Sequence, residues 1–253
     1  MTSGRLPLSA VLITKNAVSQ LRPCLESLSF CKDVVVVDSG SIDGTRDLAQ
    51  RLGARVIEAN WRGFGPQKQL AVEHAKYDWV LCIDADERVS DALRASIAAA
   101  LEQPAFQAWR FPRCNRFMGR YLRHGEGYPD LSLRLFHRAH ARWSDDLVHE
   151  KVLCDVPVGR LKGDLLHDSA DTLDGYLTKQ NRYTTLAAEE ALARGKKAPV
   201  TKMLLSPMFR FIKFYLLRRG FLDGVPGLVH ILIGCQNSFT KYAKMRAFLA
   251  DKQ

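Results

Sequence analysis

The residues with the clearest chemistry are three carboxylates within four positions. Asp84, Asp86 and Glu87 follow directly on the apolar run Trp79-Val80-Leu81-Cys82-Ile83. A run of that kind reads as a strand buried on both faces, as in a parallel sheet. Strand alternation would turn Asp84 and Asp86 to one side and Ala85 to the other. Carboxylates so close repel each other unless a cation lies between them. A hard divalent ion, Mg²⁺ or Mn²⁺, takes such oxygens and keeps positions open for substrate phosphate. The pattern predicts a metal–diphosphate site at the carboxyl edge of a parallel sheet, where open α/β folds bind ligands. The competing reading is a polar strand end passing into a helix start at Glu87 to Ser90.

Those carboxylates need a sheet to hold them, and the preceding chain has the pattern of one. Leu8 to Thr14 reads as a first strand, followed by the turn Lys15-Asn16 and a helix over Val18 to Leu28. Asp33 to Asp38 reads as a second buried strand that runs into the turn-rich Ser39–Thr45 loop and a helix through Leu52. Arg55 to Glu58 is a third strand, Trp61 to Lys68 a glycine-containing loop, and Gln69 to Ala75 a helix. After the Trp79 strand, Val89 to Leu101 is helical. Strand–helix alternation of this kind argues for an α/β, doubly wound, Rossmann-like half with a parallel sheet. From Ala108 the pattern changes to short strands and turns rich in arginine and aromatic residues. The expected organisation is a Rossmann-like half over 1–105, a half of short strands over 106–195 and a helical appendage over 196–253.

Composition narrows the partners. The 253 residues carry a net charge of +10. From Lys196 onward 11 Lys and Arg stand against 2 Asp, so the last quarter holds nearly all of that charge and an anionic partner is expected there. The six cysteines form no C-x-x-C pair and read as buried thiols of a reducing compartment. Leu6 to Ile13 is too short for a signal peptide, and no run reaches the roughly 18 apolar residues of a membrane span. A cytosolic protein, or one attached to the cytosolic face of a membrane, is expected. In the appendage, Ser206-Pro207 reads as a helix start. Beyond it Met208, Phe209, Phe211, Ile212, Phe214 and Tyr215 interleave with Arg210, Lys213, Arg218 and Arg219. Basic, aromatic-rich helices too short to span a bilayer lie in its interface; packing against the catalytic domain or a partner subunit is the alternative.

The motifs in order resemble family 2 glycosyltransferases of the GT-A fold. They are Thr14-Lys15-Asn16, Val35-Val36-Val37-Asp38-Ser39-Gly40-Ser41 with Asp43-Gly44-Thr45, the Gly63–Lys68 loop, and Asp84-Ala85-Asp86-Glu87. Later stretches, Gly125–Asp130 through Arg134-Leu135-Phe136, Val148-His149-Glu150 and Gly220–Gly224, are similar to the bacterial lipopolysaccharide core glucosyltransferases that modify inner-core heptose. The resemblance implies a GT-A sheet flanked by helices and a metal-dependent, inverting transfer from a UDP-sugar to a lipid-anchored glycan. It also implies a place on the cytoplasmic face of the inner membrane.

It further implies roles for residues. Asp38 would accept a hydrogen bond from uracil or ribose, or else cap its own loop. Thr14, Asn16 and Ala85 would line the donor site, and Gly63 and Gly65 would admit backbone close to the ligand. Lys68 would reach a base or phosphate, although the family usually places Arg and Asn where this chain has Lys68 and Gln69. A carboxylate or His must take the acceptor's proton. Glu150 is favoured and Asp130 is next, among Glu126, Asp145, Asp146 and His149. Asp84 and Asp86 would hold the metal, with His167 as a later ligand, while Arg134 and Arg138 would neutralise phosphate or be solvated. Transfer to a polyprenyl phosphate is an alternative within the same chemistry. A sugar nucleotidyltransferase would need a Gly- and Arg-rich loop after the first strand, which Thr14 to Ser19 is not. A non-catalytic nucleic-acid binder would use the basic tail but has no use for Asp84 and Asp86, so no nucleic-acid partner is expected.

Overall fold

The computed structural model describes residues 4–147, 150–168 and 172–250. The chain divides into two units, residues 1–114 with 130–168, and residues 115–129 with 169–253. The expected 195/196 boundary falls inside the second unit.

The first unit is built on strands β1 (Leu6–Thr14), β2 (Cys31–Asp38), β3 (Arg55–Glu58) and β4 (Trp79–Cys82), all parallel, in the order β3-β2-β1-β4. Helices α1 (Val18–Ser27), α2 (Thr45–Arg51) and α3 (Phe64–Glu73) connect them. Alternation along each strand divides the core between the two faces of the sheet. Leu8, Ala10, Leu12 and Val36 pack with Leu21, Leu25 and Leu48, while Val11, Val35 and Val37 pack with Ala71 and Val72 on the other side.

The chain winds outward from β1 in both directions, to β2 and β3 on one side and β4 on the other. β1 is therefore the topological switch point where a crevice opens at the carboxyl ends of the strands. Beyond β4 the sheet continues antiparallel through β8 (Asp130–His137) and β6 (Ala108–Phe117). It ends in β12 (Leu165–His167) and β5 (Glu87–Val89), with β11 (Val158–Arg160) beside β6. Helix α4 (Asp91–Glu102) begins at Ser90, whose hydroxyl accepts the Leu93 N–H. A separate hairpin pairs β9 (Ala141–Trp143) with β10 (Val152–Cys154).

Two boundaries differ from the sequence reading. β4 stops at Cys82, and Ile83 to Asp86 form a turn closed by Glu87 N–H to Asp84 O at 3.0 Å, so strand alternation does not set the directions of Asp84 and Asp86. Helix α3 starts at Phe64, so Lys68 sits on a helix and not in a loop.

The second unit holds the short strand β7 (Arg120–Tyr121), paired with the end of β6, and helices α5 (Leu173–Ala193), α6 (Val200–Phe211) and α7 (Gly224–Ala250). A π-helical stretch (Ile212–Leu217) prolongs α6, and a 3₁₀ turn (Gly220–Asp223) leads into α7. Pro207 lies inside α6, which begins seven residues earlier than the Ser206-Pro207 signal suggests. Ala188, Ala191, Ala198 and Met245 form a small core. Lys244 ties α7 to α5 through Asn181 Oδ1 at 2.7 Å and Thr184 Oγ1 at 3.0 Å. No helix among the described residues is long and apolar enough to cross a membrane.

Candidate active site

The crevice at the switch point is a cleft of about 590 Å³. Its wall includes Thr14, Lys15 and Asn16 from the end of β1, Trp61, Phe64 and Lys68 around α3, the Asp84–Asp86 turn, Glu150 and His167. Thr14, Asn16, Lys68, Asp84, Ala85, Asp86, Glu150 and His167 therefore converge although up to about 150 residues separate them in the chain.

The Ser39–Thr45 loop explains why the β1 end is rigid. Ser41 Oγ accepts the Asn16 N–H at 2.8 Å, Thr45 Oγ1 that of Ala17 at 2.8 Å, and Asp43 Oδ2 that of Val18 at 3.1 Å. These side chains take up the open amides at the start of α1 from a neighbouring loop, since α1 has no cap of its own. Asp38 anchors that loop: Oδ1 accepts the Gly40 and Ser41 N–H groups, and Oδ2 the Thr14 hydroxyl at 2.8 Å. Asp38 is fully buried, and these bonds fix the Ser39–Thr45 loop to the end of β1.

Lys68 is the hub of the site. Its Nζ lies 3.1 Å from Asp84 Oδ1, 2.9 Å from Glu150 Oε1 and 4.8 Å above the Trp143 ring. Arg134, buried in β8, reaches Asp84 Oδ2 at 2.8 Å and Glu87 Oε1 at 3.4 Å. Burial alone would raise the Asp84 carboxyl, but the Arg134 and Lys68 charges outweigh it and hold that group well below the usual carboxylate range. Burial pushes Glu87 the other way, raising it, with Asp84 adding to the rise against Arg134 and Arg113. Burial also pushes the Cys82 thiol up to about 11, under the indole N–H of Trp143.

Asp86 faces a different partner, with its Oδ2 3.1 Å from His167 Nε2. Antiparallel pairing of β12 with β5 sets His167 opposite Glu87, and Asp168 N–H donates to Asp86 O at 2.9 Å. Arg113 Nη2 contacts both ring nitrogens of His167, at 3.1 and 3.2 Å, and Arg113 Nε lies 3.4 Å from Glu87. Asp86 and His167 thus stand side by side on the cleft wall, paired with each other and, through His167, with Arg113, while both oxygens of Asp84 meet cations. Among the described residues no three His, Cys, Asp or Glu side chains form a metal cage. A divalent ion here would draw its remaining ligands from diphosphate and water, the usual habit of Mg²⁺.

Glu150 is delivered by the strap between β9 and β10. Ser144 N–H donates to Lys151 O at 2.9 Å, and Phe64 and Gly65 N–H groups donate to Leu147 O and Asp146 O at 3.1 Å each. A Cβ on Gly65 would stand 2.1 Å from Ser144 O, and one on Gly63 2.6 Å from the Leu147 side chain. These glycines therefore admit the chain's own strap. Gln69 Oε1 accepts the Trp143 N–H at 3.0 Å and holds the same hairpin on α3.

Several expected residues lie elsewhere. Gly63 caps α3 off the cleft wall. Asp130 is exposed at the start of β8, opposite Arg113 in the ladder, and is not among the residues lining the cleft. Asp145 pairs with Arg142, Arg138 with Asp78, and Glu126 belongs to the second unit, paired with Arg210. Val148 and His149 lie outside the described residues. Arg113, Gln20, Trp61 and Phe64 were not singled out as site residues by the sequence; exposed aromatics beside a Gly-containing loop were the one available signal.

The geometry has independent counterparts. A model of glycosyl transferase family 2 matches residues 9–153, more than half of the chain. The chain is a family 2 glycosyltransferase. It is 32% identical over 249 residues to the lipopolysaccharide core biosynthesis glycosyltransferase LpsC of Rhizobium meliloti, covering 95% of this chain and 92% of LpsC. It is 29% identical over 252 residues to an uncharacterised glycosyltransferase of Rickettsia typhi, covering 94% and 86%. Among solved structures, residues 1–349 of Staphylococcus aureus TarS, in complex with UDP-GlcNAc, superpose with a TM-score of 0.50 at 14% identity, covering 97% of this chain and 92% of that one. This transferase accordingly has the GT-A fold, with the family's matched region ending in β10, just past Glu150.

Proposed function

We propose that this glycosyltransferase moves a sugar, glucose being the expected one, from a UDP-sugar to a lipid-anchored glycan with inversion at the anomeric carbon. The observation that carries the reading is the convergence of Lys68, Asp84, Asp86, Glu150 and His167 on one cleft at the switch point of the sheet. The similarity along nearly the whole chain to LpsC, a lipopolysaccharide core biosynthesis glycosyltransferase, supports a lipopolysaccharide core acceptor, which we read as the inner core.

In this reading Glu150 is the base. Its carboxylate takes the proton of the acceptor hydroxyl as that oxygen bonds to the anomeric carbon. The bond from that carbon to the β-phosphate oxygen breaks, and its electron pair leaves with UDP. Lys68 now neutralises Glu150 and Asp84 together; an incoming diphosphate competes for the ammonium and frees the Glu150 oxygen. Asp86 and His167 would hold a Mg²⁺ or Mn²⁺ ion, which supplies electrostatic stabilisation to the leaving diphosphate. Thr14 and Asn16, fixed by the Asp38-anchored loop, would bound the nucleoside side of the cleft. The basic residues of 196–253 would attach the enzyme to an anionic membrane surface, on the cytoplasmic face of the inner membrane.

Calorimetry with UDP, GDP and UDP-glucose, in Mg²⁺, Mn²⁺ or EDTA, tests the donor half of the proposal. UDP should bind with a metal requirement that Asp86→Ala removes. Absence of nucleotide binding under every condition would leave the donor assignment unsupported.

A further inference from the structure

Two glycine-containing stretches that the donor cleft does not use, Gly125–Pro129 and Gly220–Gly224, meet within the second unit. A Cβ on Gly125 would stand 3.1 Å from Gly220 Cα, and one on Gly220 would strike Ile231 at 2.3 Å and Phe214 O at 2.7 Å. Both backbones therefore close on α7 with no room for side chains. Asp223, almost fully buried, accepts the His124 backbone N–H at 2.8 Å and the His124 ring Nδ1 lies 3.0 Å from its other oxygen. Glu126 joins Arg210 in an ion pair, and Arg210 Nη1 reaches Ser238 at 3.1 Å. The reversal between α6 and α7 is thus held on its inner side by glycine contacts, the Glu126–Arg210 ion pair and the His124–Asp223 hydrogen bonds.

Its outer side is apolar and uncovered. Leu205, Phe209, Ile212 and Leu216 recur at helical spacing and are all exposed, and no residue of α6 or of the π-helical stretch is buried. At the reversal itself Leu217 is 76% and Val225 66% exposed, with Phe221 and Leu222 beside them. Lys213 and Arg218 lie over the half-buried Phe214 ring, and Arg219 takes a left-handed backbone conformation where the chain turns. Charge follows the same division. The first unit has 20 Lys and Arg against 20 Asp and Glu, whereas the second has 17 against 7, the whole net +10 of the protein.

We propose that this corner, Leu216 to Val225 ringed by Lys213, Arg218 and Arg219, is the part of the second unit that enters an anionic bilayer surface. The inference rests on the membrane attachment in the reading above and assigns it to particular side chains. A rigid apolar corner with a basic ring matches the depth profile of a bilayer interface, hydrocarbon inside and anionic headgroups around it. A water-soluble protein partner would leave the confinement of the net charge to this unit without a use. The glycine seam and the His124–Asp223 pair keep the corner shaped, so little ordering is needed on contact.

The experiment is cosedimentation of the full chain with phosphatidylcholine vesicles, with and without phosphatidylglycerol. Wild type should pellet with the anionic vesicles, less so in high salt. Leu217→Glu combined with Phe221→Glu, both at exposed positions, should cut binding by roughly tenfold or more, since carboxylates resist the hydrocarbon boundary. Lys213→Gln with Arg219→Asn should weaken anionic-vesicle binding by about fivefold per charge removed. Leu173→Glu with Leu177→Glu, exposed on α5, should leave it unchanged. Failure of wild type to pellet overturns the proposal, as does full binding by the corner variant. So does a dimer in light scattering that the corner variant turns into a monomer, because the face would then be a subunit contact. UDP calorimetry on the same samples keeps the two readings apart: a wild type that pellets without binding UDP fails only as a UDP-sugar transferase.

Discussion

Lys68 Nζ sits 2.9 Å from Glu150 Oε1 and 3.1 Å from Asp84 Oδ1, so one ammonium neutralises both the candidate base and a carboxylate of the turn across the cleft. Its buried position above Trp143 leaves it few other places to go. The pair links the strap that carries Glu150 to the turn that follows β4.

Two substitutions separate the partners. Lys68→Met removes the competitor for Glu150 and a cation facing the diphosphate, so donor affinity and turnover should both fall, kcat/KM by about two orders of magnitude. Glu150→Gln should leave UDP affinity near wild type and lower kcat by roughly 10²–10⁴. Steady-state kinetics beside UDP calorimetry checks both, and a Gln variant with normal turnover would move the base elsewhere.

Arg134 bears on stability before activity. It is buried and meets Asp84 and Glu87, and its own affinity for a proton is raised by those two carboxylates despite burial. Arg134→Met leaves two adjacent carboxylates with less compensation, a loss of about 3–5 kcal/mol for a buried pair broken on one side. Urea unfolding should show it, and a change below about 1 kcal/mol would mean the network relaxes onto Lys68 and Arg113.

The sequence exposed the parallel strands because valine runs bounded by turns have few other uses, and with them the strand end at Thr14, which the strand order makes the switch point. It also placed Asp84 and Asp86 at a ligand site, although by strand alternation, where the structure has a turn. What stayed hidden depends on contacts between distant segments. Nothing local to Arg134 marks it as buried, or Arg113 as a partner of Glu87, since both follow from carboxylates 26 to 50 positions away in the chain. Gly63 and Gly65 read as room for a ligand backbone contact, and their packing against the strap at 144–147 is visible only in the fold. The joining of 115–129 to the C-terminal helices is likewise a long-range pairing, with no periodicity to announce it.

Gly65 turns that distinction into a measurement. A methyl at this position meets Ser144 O at 2.1 Å and Asp146 O at 2.7 Å, both backbone atoms that cannot swing aside. Gly65→Ala should cost about 1–3 kcal/mol by overpacking and lower kcat by displacing the strap that carries Glu150, with UDP affinity less affected. A variant that instead loses UDP affinity at full stability would show that Gly65 faces the ligand.

Asp33 supplies a pH test away from the cleft. Its carboxylate accepts Arg55 Nε at 2.9 Å, the Ser9 hydroxyl at 2.7 Å and the Lys76 N–H at 3.0 Å. Burial opposes ionisation, but these hydrogen bonds and the Arg55 charge prevail and lower the carboxyl below its ordinary value. A group with a depressed folded pKa contributes its full stability above the unfolded value, near 3.9, and loses it as pH falls through the folded value. Asp33→Asn should therefore destabilise the protein by about 1–3 kcal/mol at neutral pH. The gap to wild type should hold constant down to about pH 5 and narrow below pH 4 as wild type itself takes up the proton. Urea midpoints for the two proteins at pH 7, 5 and 3 check it. A gap that stays the same at all three would mean that the ionised form of Asp33 gains nothing from Arg55, and that the hydrogen bonds alone hold β1, β2 and β3 together at that end of the sheet.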